Sequence, residues 1–540
     1  MSADRGWGEA MRVHQWARWA PAPAGLVVGA LALGPALGPG FVLRYDMVFV
    51  PDPPVTWPVG GFPRAVPSDL VVALLAHVMP ALALQKLILI GIFVLAGCGA
   101  AALVPGDRLV PRLAAAVFYA WNAYLAQRLL LGQWALLLGF AGLPWAVRAA
   151  ARGGPWRLAL ALVPAAVGGF QAMLVSALAV LPVAATRPSR RLRGVLEALA
   201  VLGTLSLPWA VPALLSQAAT DPAGVDAFAA RADGPFGTLG SLVSLGGIWN
   251  AEAEVPGQAA WPLATARLLL AAVAVVTFVR LPWTRDRAGE TTDDGGVGTP
   301  FWRGLLIAAA VGLAIASTGA YAPGVLKAMI GFWPGFGPLR DGQLYVAPLV
   351  LVQAIGFGVF AGRCSRPSPR GGRAAVVVPG VVAVLVPLLV LPAFAWGASG
   401  RLAAVEYPDE WRRVQAIVNR DPRPGALISL PWGAHRAFAW NGGRVILDPA
   451  TKSFARRVIW NDALVVGLGR RGSLRLRGED FLGRRIGMVI TARNGPLTQV
   501  LRAAGIRYVL ITGRNENRFR SRLPGAVPAF VGNEVLLLRL

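Results

Sequence analysis

Arg44-Tyr45-Asp46-Met47-Val48-Phe49-Val50-Pro51-Asp52-Pro53-Pro54 is the stretch on which the reading of this chain turns. It begins where the first apolar run ends. Its prolines stop a helix and bias their predecessors toward extended backbone. Two carboxylates, Asp46 and Asp52, therefore stand on a short stiff loop at the lip of an apolar segment. A generic loop aspartate is usually a turn residue. An ionisable group at membrane depth is instead a functional candidate by default. Tyr45 and Met47 partly desolvate Asp46 while Arg44 attracts it, a balance suited to a general base, a role worth about 10²–10⁴ in rate. Asp52, the second acid, has less lipid about it and is placed to orient an acceptor, to bind a metal or to do neither.

Outward from this loop the chain reads as a membrane protein. It has 540 residues, 55% of them apolar, and a mean hydropathy of +0.56. Apolar runs near the length that crosses a bilayer (about 20 residues) recur through its first three quarters. The formal charge of +25 would point to nucleic acid in a soluble protein. Here the arginines before residue 400 collect in connectors between apolar runs, as the positive-inside rule expects, so no nucleic-acid partner is expected. Lysine occurs only at Lys86, Lys327 and Lys452. Cys98 and Cys364 suggest neither a disulfide framework nor a metal knot.

The spacing predicts an all-α polytopic domain of about eleven transmembrane helices, with spans near 24–43, 84–104, 113–126, 135–149, 158–170, 172–185, 195–215, 263–283, 304–320, 344–361 and 374–396. Residues 1–22, with Trp7, Trp16 and Trp19 among basic side chains, read as a cytoplasmic interfacial helix. The transmembrane domain runs over 23–400, with outer loops at 45–83, 216–261 and 321–343. Within the first loop, Leu70–Leu75 is too short to span; Ser68 or Asp69 would cap it. The first apolar run lacks a small-residue cleavage pattern and reads as a retained anchor. Arginine asymmetry puts the N-terminus in the cytoplasm and the C-terminus outside. Abundant Ala, Gly and Pro with almost no Lys look like a GC-rich bacterial genome, so the membrane is expected to be a bacterial plasma membrane.

Residues 401–540 are more polar and alternate differently. A helix over Asp409–Asn419 precedes β-type runs at Ala426–Leu430, Val445–Leu447, Met488–Thr491, Arg507–Ile511 and Val535–Leu538, with a helical insert at Gly495–Ala504. This is the pattern of a small α/β domain on the extracytoplasmic side.

Three further groups carry chemistry. Arg128, with Gln133 and Trp134, is either a headgroup-snorkelling arginine or a grip on a lipid-linked phosphate, with the indole offering a ring face to a sugar. Lys327, Arg340, Asp341 and Gln343 lie in one outer loop. Arg340 and Asp341 read as a local ion pair of little worth or as a fork for phosphate oxygens. Asp233, Trp249 and Glu252 line either a sugar site or a re-entrant plug. His14, His77 and His435 are scattered and make no metal cluster, so no metal site is expected.

Tyr45-Asp46-Met47-Val48-Phe49-Val50-Pro51, Trp121-Asn122 through Arg128 to Gly132-Gln133-Trp134, Gly246-Gly247-Ile248-Trp249-Asn250, Leu339-Arg340-Asp341-Gly342-Gln343, Leu430-Pro431-Trp432-Gly433 and Trp440-Asn441-Gly442-Gly443 together resemble the GT-C superfamily of membrane glycosyltransferases. They are most similar to its actinobacterial arabinofuranosyl- and mannosyltransferases of cell-wall biogenesis. The resemblance implies transfer of a sugar from a polyprenyl-phosphate donor to a cell-envelope glycan or lipid acceptor outside the cytoplasm. It maps the first-loop aspartate to Asp46. Many relatives carry two adjacent acids there, whereas here Asp46 and Asp52 are separated. Metal dependence varies within the superfamily. On this reading Arg128, Lys327 and Arg340 bind donor phosphate, and Gln133, Trp134, Asp233, Trp249, Glu252, Asp341 and Gln343 bind sugar or acceptor. Two other readings remain from the residues alone: a flippase of polyprenyl-linked saccharide, with Glu197 and Arg267 as its in-span charges, and a non-catalytic scaffold for envelope assembly.

Overall fold

The computed structural model describes residues 19–57, 62–187, 191–216, 220–281, 301–366, 374–467, 473–492, 495–513 and 516–540. Nearly all of the interfacial helix expected over 1–22, and most of the cytoplasmic linker 284–303, lie outside them. The chain is mostly helical, with a small strand-containing region toward its C-terminus.

Among the described residues six helices are long and apolar enough to cross a membrane: Ala81–Ala101, Trp134–Arg152, Arg191–Leu215, Trp261–Val279, Phe301–Tyr321 and the segment Gly342–Cys364. A seventh follows if Val377–Leu389 and Pro392–Gly400, bent by 66°, count as one span. The eleven expected spans are thus not reproduced, and the reason is local chemistry. The first expected span stops as a helix at Leu33, because Gly34 takes a positive φ of 46° ahead of Pro35. The third ends at Ala120; Asn122 then starts a new helix, Ala123–Leu130, by accepting a hydrogen bond from Leu125 N at 2.9 Å. The fifth and sixth are helices of 14 and 16 residues.

Two compact units emerge from the contacts. One comprises Met1–Gly34, Ile88–Leu207 and Phe228–Arg401; the other comprises Pro35–Leu87, Pro208–Ala227 and Leu402–Leu540. Where the sequence reading ended its membrane domain at 400, the contacts group 35–87 and 208–227 with the C-terminal residues. In the first unit small residues let helix backbones approach closely. A β-carbon on Gly356 would strike the carbonyl of Ala274, and one on Gly139 would strike Ala172.

In the second unit the strands are β1 (Phe41–Val42), β2 (Ala404–Val405), β3 (Ala426–Leu430), β4 (His435–Ala437), β5 (Val445–Leu447), β6 (Val458–Ile459), β7 (Leu464–Gly467), β8 (Ser473–Leu476), β9 (Ile506–Thr512), β10 (Val527–Val531) and β11 (Val535–Arg539). Five make a mixed sheet in the order β10-β11-β9-β3-β6, with β3 parallel to β6 and β9, and β11 antiparallel to β9 and β10. Ile428, Leu430, Val509, Ile511, Leu536 and Leu538 bury one apolar core. The helix Asp409–Arg420 starts with Asp409 and Glu410 and ends with Arg420, charges that complement its dipole.

Met488–Thr491 is not a strand. It is the last turn of the helix Phe481–Thr491, which Asp480 caps by accepting from Leu482 N and Gly483 N. Ile486 and Ile490, four apart, are the buried stripe; a four-residue run cannot by itself reveal that period. Nor do Ser68 or Asp69 cap the first-loop helix. It runs Ser68–Leu75 behind Pro67, the Ser68 hydroxyl donates to Ala65 O, and Asp69 pairs with Lys452 at 3.0 Å.

Candidate functional site

Asp46 sits at the tip of a tight turn that the second unit holds from both sides. Arg44 N donates to Met47 O and Met47 N to Arg44 O, at 3.2 and 2.9 Å. Tyr45, between them, has φ of +44°. For a residue with a β-carbon that backbone costs about 1–2 kcal/mol and persists only when its surroundings determine it. They do: Tyr45 N donates to Val445 O and Leu447 N donates to Tyr45 O, each at 2.8 Å, so the turn is stitched to β5. Met47 is fully buried beneath it. The Arg44 guanidinium lies 5.2 Å from the Tyr45 ring centroid.

The Asp46 side chain is 51% exposed, and its Oδ1 lies 3.2 Å from His435 Nε2. His435 reaches it because β4 pairs with β5 in the register His435↔Leu447, and Leu447 is itself one of the two residues that bond Tyr45. Alternation along β4 sends Arg436 to the opposite face, where it pairs with Asp448 and donates to Ser429 Oγ, Thr512 Oγ1 and Leu430 O. The hairpin is thus anchored by a buried arginine and presents a histidine to the carboxylate. Asp52 is exposed further along the loop, and its carbonyl accepts from Gln415 Nε2 at 2.6 Å.

Arg128 organises the first unit. Its side chain is fully buried, and all five N–H donors are engaged: Nε and one terminal nitrogen donate to Gln343 Oε1, and the two terminal nitrogens donate to Gln133 Oε1 (2.7 Å) and to both Asp341 oxygens (2.9 and 3.0 Å). A phosphate reaching Arg128 would have to displace Asp341 or Gln343. Asp341 is thus the bidentate partner of an arginine 213 residues away. Arg340 is half-buried with its guanidinium 5.0 Å from the ring centroid of Phe228, which meets Trp249 edge-on at 4.8 Å. Trp134 is 3% exposed, so its indole is packed into the core. Lys327 is half-buried on the helix Pro323–Phe332.

Asp233 continues the same network. It accepts from Gln127 Nε2 at 2.7 Å and from Gly247 N at 2.5 Å, and Gln343 Nε2 donates to Gly246 O. Gln127 also donates to Gln258 Oε1 at 3.3 Å. Glu252 is exposed in a one-turn 3₁₀ helix capped by Asn250. Its neighbour Glu254, half-buried, was not singled out from the sequence. Burial, reinforced by Asp233 and opposed by Arg231 and Arg401, pushes its carboxyl up to about 7, with Glu252 adding to the rise. The two in-span charges separate: Glu197 pairs with Arg193 at 2.8 Å, and Arg267 is 6% exposed.

The first unit also carries an apolar groove of about 450 Å³ between the helices Trp261–Val279, Ala347–Cys364 and Ala374–Leu389. Leu270, Val273, Phe357, Phe360, Val382 and Val386 line it, with Cys364 on the same wall. Among the described residues no three His, Cys, Asp or Glu side chains group as metal ligands.

No family model matches this chain. No curated protein matches it either. Solved structures do. A cryo-EM structure of the arabinofuranosyltransferase AftD from mycobacteria is 14% identical, with a TM-score of 0.53, over 97% of this chain and 40% of that one. A point mutant of the same enzyme is 16% identical, with a TM-score of 0.58, over 97% and 41%. The chain spans about two fifths of the length of the protein it matches. In fold, this chain is similar to that mycobacterial arabinofuranosyltransferase, in keeping with the resemblance read from its motifs.

Proposed function

We propose that this protein is a membrane glycosyltransferase that moves a sugar from a polyprenyl-phosphate donor to a hydroxyl of a cell-envelope glycan or lipid, with Asp46 as general base. Asp46 takes the proton from the acceptor hydroxyl as its oxygen forms the bond to the anomeric carbon. The bond from that carbon to the phosphate oxygen breaks, and the electron pair leaves with the lipid phosphate. Arg128, Lys327 and Arg340 are the cations proposed to meet that phosphate, Arg128 by exchanging a protein carboxylate or amide for a phosphate oxygen. Gln133, Trp134, Asp233, Trp249, Glu252, Asp341 and Gln343 are proposed to serve sugar and acceptor, Trp134 from within the core, and Asp52 to assist Asp46. The apolar groove suits an isoprenoid chain. The reaction belongs to the extracytoplasmic face of the plasma membrane.

The observation that carries this reading is the Asp46 turn: a half-exposed carboxylate on strained backbone that the fold holds in place by backbone bonds and a histidine. Strain retained at Tyr45, in the turn that presents one exposed acid, points to a role for that acid. Sugar transfer from a radiolabelled polyprenyl-phosphate donor, in membranes holding matched amounts of the parent chain or Asp46→Asn, tests it. Transfer is expected to collapse in the variant. Equal transfer would remove the base, and lipid movement across vesicles without any glycosidic product would replace the transferase with a flippase.

A further inference from the structure

We propose that His435 is the positioning residue of Asp46: its Nε2–H fixes one carboxylate oxygen so that the other is presented to the acceptor hydroxyl. The inference rests on the reading of Asp46 as base.

Three independent features aim the imidazole. The side chain is only 24% exposed, against 51% for Asp46, so the histidine is held by the fold while the acid stays open. Its ring lies tilted by 59° against Tyr45 at 6.1 Å, which limits rotation of the imidazole. The hairpin that carries it is the same one whose β5 edge bonds both the N–H and the carbonyl of Tyr45. Acid and histidine, 389 residues apart, are therefore indexed to one another through two backbone hydrogen bonds and one strand register. Arg436, on the other face of β4, ties that register to the sheet through Ser429, Leu430 and Thr512.

The chemistry follows from the donor inventory. A carboxylate has two oxygens with comparable lone pairs, and a free one samples many rotamers. With Nε2–H on Oδ1, the carboxylate plane is fixed and Oδ2 remains the acceptor for the incoming proton. No proton need pass to the imidazole in this step. His435 contributes geometry to a proton transfer that Asp46 performs, and orientation of this kind is what a misplacement of about 1 Å destroys.

Steady-state transfer by the full-length protein in membranes or detergent, with a polyprenyl-phosphate sugar, decides the matter. His435→Ala is expected to lower kcat about ten- to a hundredfold with little change in the donor KM, the usual loss when an outer partner of a reacting group is removed. His435→Gln, whose amide keeps an N–H near the position of Nε2, should recover a large part of that loss. Asp46→Asn/His435→Ala should be no slower than Asp46→Asn, because the histidine acts only through the acid. If His435→Ala and His435→Gln fall equally and both melt at lower temperature, the residue is structural and the positioning role is overturned. If Asp46→Asn is dead while His435→Ala is fully active, the base stands and only His435 is overturned. If Asp46→Asn transfers normally, the base falls and the role of His435 falls with it.

Discussion

The Asp46 turn and the Arg128 core show two opposite ways of holding a charge. Asp46 is half exposed, the backbone of Tyr45 before it is strained, and its carboxylate has His435 on one oxygen. Arg128 is fully buried on relaxed helix, and each of its donors meets an oxygen of Asp341, Gln343 or Gln133. Backbone strain concentrated under an open acid points to function. Saturation of a buried cation points first to structural specification, because a buried charge is tolerated only when fully paired. Residue type alone does not separate the two; the share of hydrogen-bonding capacity left over does.

Substitution sharpens that contrast. Asp46→Asn is expected to cost about 10²–10⁴ in kcat while leaving the melting temperature unchanged, since the turn is held by backbone bonds that asparagine keeps. Arg128→Met should instead lower stability by about 3–5 kcal/mol, beside any loss of donor binding, because it leaves Asp341 buried without its partner. Thermal melts alongside transfer assays check both. A stable Arg128→Met protein with a raised donor KM would break the contrast and leave Arg128 a phosphate ligand without the structural role.

The sequence disclosed these regions unequally, for physical reasons. Hydropathy marks where apolar segments lie, but whether each becomes one long helix depends on single residues such as Gly34 and Asn122, so that among the described residues six or seven helices, not eleven, are long and apolar enough to cross a membrane. Asp46 was legible because proline and apolar neighbours mark it locally. His435 was not, because its meaning depends on a contact 389 residues away, and the only local hint was its place just after Leu430-Pro431-Trp432-Gly433. Asp341 shows the same limit: adjacency suggests Arg340 as one partner, whereas its bidentate contact is with Arg128, 213 residues away. Met488–Thr491 shows the complementary limit, since so short a run, three apolar residues and a threonine, fits either period until the buried Ile486 and Ile490 are seen.

The apolar groove extends the comparison to a site with no charge on its walls. Cys364 lines it, so Cys98→Ser would leave one thiol as a reporter. A long-chain polyprenyl phosphate should slow maleimide labelling of Cys364 several-fold, and inorganic phosphate should not. Placing an indole there, as in Ala383→Trp, should raise the KM for a long-chain donor about tenfold and spare a short-chain analogue. Equal effects on both donors would detach the groove from substrate.

Glu254 lies between the two extremes, half-buried yet charged above neutrality, and it gives the smallest expected effect. Its folded carboxyl near 7 stands above the ordinary value of 4.5, so the folded state holds a proton that the unfolded chain has released between those values. The stability this contributes is complete below about pH 4.5 and is lost as pH rises through 7. Glu254→Gln removes that slope. The variant should match the parent near pH 4.5 and exceed it at pH 8 by about 1–2 kcal/mol, less than the full shift would give because solvent screens a half-exposed group. Melting at the two pH values reads the difference directly. A parent that is instead steadier at pH 8 than its glutamine variant would mean that Arg231 and Arg401 outweigh burial and Asp233, and that Glu254 belongs with the saturated charges of the core.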